Sequence, residues 1–156
     1  MKLWQRRLFG ILAISGGALG VTVTTTTLFQ THRVVEWIIY IVFSCVFAWG
    51  AWCGVKLLEA QPGAERANLW FWLIQVPFLT SPVVAYSLTS GFHFTLSLDL
   101  PSFVLGMNFW LGSTFNFSLL QSDQPFSIGA NVFALAVFLW LGKLSRAQSV
   151  AVSSPP

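Results

Sequence analysis

His93, Ser97 and Asp99 fall within one short stretch, FHFTLSLDLP, and are the residue types that supply a base, a nucleophile and an orienting acid. The stretch alternates strictly, so Phe92, Phe94, Leu96, Leu98 and Leu100 share one face of a strand while His93, Thr95, Ser97 and Asp99 share the other. At ~3.3 Å per residue His93 and Asp99 then stand about 20 Å apart, and a catalytic triad fails on distance. Asp99 and Asp123 offer a different chemistry, an aspartyl pair sharing a proton in a membrane-embedded hydrolase, which requires the fold to bring them together. Two solvated loop acids are the plainer account.

A second constellation is polar without being charged. Pro77 and Pro82 would strand the carbonyls of Leu73 and Phe78 in a helix, beside Gln75, Thr80 and Ser81, with Asn131 further along the chain. Freed carbonyls next to an amide can line a small binding site, as in discontinuous transporter helices. More commonly such groups satisfy one another across a helix interface. Cys45 and Cys53, eight residues apart on a helix, point roughly 80° apart and lie about 12 Å apart along its axis, beyond disulfide reach. The sequence carries no phosphate-cradling glycine loop, no metal-spaced Cys/His cluster and no Gly-x-Ser-x-Gly elbow. No cofactor is implied.

Composition decides what must position these groups. Of 156 residues 55% are hydrophobic and only 8% charged, too few charges to coat a soluble core of this size. Four stretches long enough to cross a hydrocarbon layer follow, at about 8–29, 37–55, 69–90 and 126–142. The expected fold class is therefore integral membrane α-helical, with four transmembrane helices and a small antiparallel β-meander between the third and fourth. Residues 1–146 form a single polytopic domain, and 147–156, small, polar and proline-terminated, form a disordered tail.

With four spans, Lys2, Arg6, Arg7, Lys56, Arg66, Lys143 and Arg146 fall on one side and Arg33 alone on the other, which sets both termini in the cytoplasm of a bacterial-type inner membrane. Trp4, Trp49, Trp52, Trp70, Trp72 and Trp140 near the inner ends, and Trp37 at an outer one, agree with interfacial belts. Lys2, Arg6 and Arg7 followed by an apolar run and Ala18-Leu19-Gly20 also suit a secretory signal, but apolar residues and threonines continue to Phe29. The basic residues make no patch, so nucleic acid is not an expected partner.

None of the four stretches contains Asp, Glu, Lys, Arg or His, which argues against proton relay and voltage sensing. Haem held by paired intramembrane histidines is likewise disfavoured, because His32 and His93 both fall outside them. The first stretch instead offers a small-residue face with Gly16 and Gly20, and the second a matching Gly50 and Gly54, on which helices can approach closely. Thr22 and Thr24 to Thr27 can return their hydroxyls to the preceding turn.

The external segment, 91–125, is too long for an unstructured loop. Alternation predicts strands at about 92–100, 103–111 and 114–120, with Gly112-Ser113 as a two-residue turn, although a helix over 102–120 is the competing assignment. Such a meander needs a surface for its apolar face, leaving His93, Thr95, Ser97 and Asp99 to water. The function this supports is protein-protein interaction, as an accessory subunit, assembly factor or immunity-type protein, with the lipid bilayer and a protein partner or second copy as contacts. The alternatives are a transporter or channel for an uncharged or lipidic small molecule, and the hydrolase using Asp99 and Asp123.

Overall fold

The computed structural model describes residues 1–31, 33–100 and 102–153, the side chains of 147–153 excepted. Its elements run α1 (Leu3–Gln30), α2 (Val34–Leu58), α3 (Ala64–Leu73), β1 (Pro77–Thr80), β2 (Val84–Thr89), β3 (Phe92–Asp99), β4 (Val104–Leu111), β5 (Thr114–Leu119), β6 (Ser127–Asn131) and α4 (Val132–Ser153).

Hydropathy and structure part company after the second helix. Among the described residues only α1 and α2 are long and apolar enough to cross a membrane. The expected third span instead divides into the end of α3 followed by β1 and β2, and the fourth into β6 and α4. The four-transmembrane-helix fold is thereby corrected to a pair of long apolar helices, two further helices and a six-stranded antiparallel sheet. The physical reason begins at Pro77, which has no amide hydrogen and drives the preceding residue out of helical geometry, so α3 stops rather than kinks. Beyond it the chain alternates, with Tyr86 and Leu88 on one side and Ser87 and Thr89 on the other, and a hydropathy average conceals that period. The expected tail at 147–156 divides too: 147–153 continue α4, while 154–156 lie outside the described residues.

Close packing of α1 on α2 rests on glycine. A Cβ on Gly20 would enter the Phe47 ring, one on Gly17 would strike Ala51 and the Phe47 carbonyl, and one on Gly54 would strike the Gly10 carbonyl. Thr22, Thr24, Thr26 and Thr27 donate their hydroxyls to carbonyls four residues back, which makes them tolerable in an apolar helix. α3 lies against the far half of α2, with the Phe71 ring over Gly50 and the Asn68 amide donating to the Cys53 carbonyl at 2.7 Å. α4 packs on α3 through Trp72, Val137 and Leu141, and its Trp140 meets Phe9 of α1. That end gathers the basic residues, since Arg66, Lys143 and Arg146 border one groove.

The sheet lies beside the opposite half of the helical hairpin. Its order is β4-β3-β6-β1-β2-β5. β3 and β4 pair in the expected antiparallel manner, but β5 pairs with β2 at the other edge. A flat six-stranded sheet would hold its edges about 24 Å apart, whereas Gly112 and Ser113 alone link β4 to β5 and span at most about 11 Å. The sheet must therefore roll into a barrel left open along a seam between β4 and β5. Two turns close its narrow end, where the Gly112 amide donates to the Gly91 carbonyl at 2.6 Å and the Gly91 amide to the Ser113 hydroxyl at 3.3 Å. Gly91 and Gly112 have φ of 86° and 144°, backbone angles that favour glycine in such turns.

The convex face is apolar and covered unevenly. Phe115 and Phe117 of β5 and Leu88 of β2 pack on Phe43 and Phe47 of α2, and Phe92 of β3 meets Phe133 of α4. Outward residues of β4 have no such cover: Leu105, Met107, Phe109 and Leu111 are 70%, 71%, 65% and 72% exposed.

Candidate functional site

Rolling the sheet puts the polar side of its strands inside. A cleft of about 490 Å³ opens on the concave face, lined by Phe78 of β1, Ser87 and Thr89 of β2, His93, Thr95 and Ser97 of β3, Asn108 and Trp110 of β4, Ser113 of the turn and Thr114 of β5. That volume is in the ~300–1,000 Å³ range of small-molecule sites. No lining residue is charged at neutral pH if His93 is neutral, and every one except Phe78 brings a hydrogen-bonding group.

The strand argued from sequence to present its polar side to bulk water does the reverse. His93 is 7% and Thr95 5% exposed, and both face into the cleft. Burial lowers the His93 pKa below its usual range, with a side-chain hydrogen bond to Asn108 working in the opposite direction. Its Nδ1 is buried and has no hydrogen-bond partner. Asn131, which stands in register with Thr95, uses Oδ1 to accept from the Phe94 and Ala134 amides at 3.4 and 3.2 Å, and leaves its Nδ2 unpartnered. Room for these groups comes from Gly106, where a Cβ would crowd the Ser97 hydroxyl, and Gly129, where one would enter the Leu96 and Ser97 backbone.

Other residues singled out by sequence take structural places. Gln75 is 1% exposed and accepts from the Ser90 amide at 2.8 Å while donating to the Phe71 carbonyl at 3.1 Å, so it joins the end of α3 to the narrow end of the barrel. Asn131 lies beside it, since the Asn131 backbone N–H donates to the Val76 carbonyl. Pro77 begins β1, whereas Thr80 ends it and Ser81 and Pro82 belong to the following turn, where the Ser81 hydroxyl bonds Val84. The six are thus divided between the two ends of β1 rather than gathered around a broken helix. Gly20 and Gly54 serve the α1–α2 contact, Gly50 receives Phe71 of α3, and Gly16 receives Ser90 and Gly91.

Asp99 ends β3 and accepts from the Ser102 hydroxyl at 2.7 Å, while the Asp123 carboxylate accepts from Ser122 at 3.5 Å. Both acids belong to the wide end of the sheet and neither lines the cleft. Cys45 is exposed and Cys53 buried, both as free thiols. Among the described residues no three His, Cys, Asp or Glu side chains gather as a metal site.

Sequence reasoning found His93, Thr95 and Ser97 but missed Ser87, Thr89, Asn108, Trp110 and Thr114. The missing signal was the shared phase of alternation. Ser87 and Thr89 alternate with Tyr86 and Leu88 as His93 and Thr95 do with Phe92 and Phe94, and period-2 polarity repeated in several strands marks a rolled sheet with one polar side. The chain matches no protein-family model, and comparison with curated proteins and with solved structures returned no match.

Proposed function

We propose that this chain is a membrane-anchored binding protein that holds a neutral, hydrogen-bonding group in the cleft of its open barrel. The carrying observation is His93, buried in an uncharged cleft with Nδ1 unpartnered. A buried polar atom of this kind costs about 1–3 kcal/mol when unsatisfied, so a ligand that bonds it recovers that cost. The absence of Lys and Arg from the lining disfavours phosphate or carboxylate, and the hydroxyls and amides favour a polyhydroxylated or amide-bearing partner. α1 and α2 serve as the membrane anchor, and the end carrying Arg66, Lys143 and Arg146 faces the cytoplasm of an inner membrane by the excess of positive charge.

Native mass spectrometry of the protein released from its own membranes tests this reading. The wild-type chain is expected to retain a non-protein mass that His93→Leu and Asn108→Ala lose while still folded. Identical bare masses for all three overturn it.

One observation favours a second reading, protein-protein interaction. The free edge of β4 has eight residues without charge or proline, the features by which exposed edges normally resist pairing. Recovery of a stoichiometric protein partner that Met107→Pro releases, with the cleft variants unaffected, would favour it over the cleft.

A further inference from the structure

The cleft has an opening whose chemistry differs from its lining. Its seam runs between β4, whose outward Leu105, Met107, Phe109 and Leu111 are uncovered, and β5, whose outward Phe115 and Phe117 are seated on α2. Trp110 lines the cleft from the same strand and is 59% exposed. One side of the seam is thus hydrogen-bonding and the other apolar.

Its height along the helices is fixed by contact. The narrow end is tied to Gly16, whose carbonyl accepts from the Ser113 hydroxyl and whose Cα faces Ser90 and Gly91 so closely that a Cβ would meet the Gly91 nitrogen. Gly16 is halfway along α1. The polar cleft therefore begins at the middle of a helix long enough to span a bilayer and continues toward the α1–α2 loop, where Phe117 and Leu119 of β5 border a groove with Arg33 and Val34. With α1 and α2 across a bilayer, as the binding reading above has them, that height puts the uncovered side of β4 at the depth of lipid chains, where Ile38, Ile41 and Val42 of α2 are exposed apolar residues as well.

Resting on the binding reading above, we infer that the cleft takes the uncharged, hydroxyl-bearing headgroup of a membrane lipid, entering sideways through the β4–β5 seam while its chains lie along the outer side of β4. A headgroup of this class supplies acceptors or donors to His93 Nδ1, Asn108 and the Ser and Thr hydroxyls without burying a charge. It also explains one side chain pattern that a soluble ligand does not, polar residues inside and uncovered apolar residues outside on the same strand. Trp110 at the seam is suited to the boundary between the two environments.

Cysteine labelling in nanodiscs tests the proposal. Ser97→Cys, in a chain with Cys45→Ser and Cys53→Ala, places a thiol in the cleft that a water-soluble maleimide reaches only when the cleft is vacant. Adding a monoglucosyl diacylglycerol to phosphatidylcholine nanodiscs is expected to slow labelling by about tenfold at lipid levels well above the dissociation constant. Methyl glucoside at the same overall concentration is expected to leave the rate unchanged. Asn108→Ala or, where it folds, His93→Leu should abolish the protection. Equal protection by methyl glucoside overturns entry from the bilayer and leaves the neutral-ligand reading standing. Protection by neither, with a retained mass on the native protein, overturns the headgroup assignment alone. Protection by neither and no retained mass overturns both.

Discussion

The Ser113 hydroxyl donates a hydrogen bond to the Gly16 carbonyl, joining the turn between β4 and β5 to the middle of α1. That contact fixes the height of the barrel along the helical hairpin, because it sets the polar cleft's narrow end about 20 Å from either end of α1. It depends on Gly16 having no side chain, since Ser90 and Gly91 occupy the space a Cβ would need.

Gly16→Ala should therefore destabilise the fold by about 1–3 kcal/mol through overpacking against backbone that cannot rotate away. Ser113→Ala removes only the hydrogen bond and should cost about 0.5–1.5 kcal/mol. Thermal unfolding in one detergent checks both, and a Gly16→Ala chain as stable as wild type would show that the sheet does not seat on α1 there.

Gln75 separates structural from binding roles. It bridges the Ser90 amide and the Phe71 carbonyl while almost wholly buried, so Gln75→Leu leaves the amide unpaired at a cost of about 1–3 kcal/mol. The variant's folded fraction should still retain the mass bound by wild type. Loss of that mass from a fully folded Gln75→Leu chain would place Gln75 in the binding site instead.

Acid should weaken the fold through His93. Burial holds its pKa below the usual ~6.5, so between those two values the unfolded chain binds a proton that the folded chain does not. Its contribution is complete above about pH 6.5 and is lost as pH falls through the lowered folded value. The unfolding midpoint should drop on acidification from about pH 7.5 to about pH 5, and His93→Gln should flatten that slope. An unchanged slope in the variant would show that other groups govern it.

The outer side of β4 should meet lipid. A nitroxide on Met107→Cys in bilayers is expected to collide freely with oxygen and poorly with a water-soluble nickel complex, with the opposite preference at Ser122→Cys in an exposed loop. A water-like response at position 107 would detach the barrel from the bilayer.

Asp99 and Asp123 should be dispensable for the retained mass. Each carboxylate is bonded to a neighbouring serine, and both lie away from the cleft. Asp99→Asn or Asp123→Asn chains that fold and bind nothing would revive a role for these acids.

The sequence made the first two helices legible, because each contains a charge-free apolar run as long as a helix that could cross a bilayer. Strands β3, β4 and β5 were legible from strict alternation, as was the β3–β4 pairing. Average hydropathy hid β1, β2 and β6, whose outward residues are as apolar as a helix and whose inward ones, Phe78 apart, are small or polar: Thr80, Ala85, Ser87, Thr89, Ser127, Gly129 and Asn131. It also concealed which side of β3 faces inward: Phe92 and Phe94 look like core positions, and only the roll of the whole sheet turns His93 and Thr95 to the interior. β5's partner was unreadable for a similar reason. Gly112 and Ser113 fit a hairpin turn, but Phe115 and Phe117 pack on Phe43 and Phe47 of α2, and the strand pairs with β2 there.

An experimental density map of the protein extracted together with its native lipids tests the binding account most directly. It should show a non-protein group within hydrogen-bonding distance of His93 Nδ1, extending toward the seam between β4 and β5. A well-resolved cleft holding water alone would contradict it.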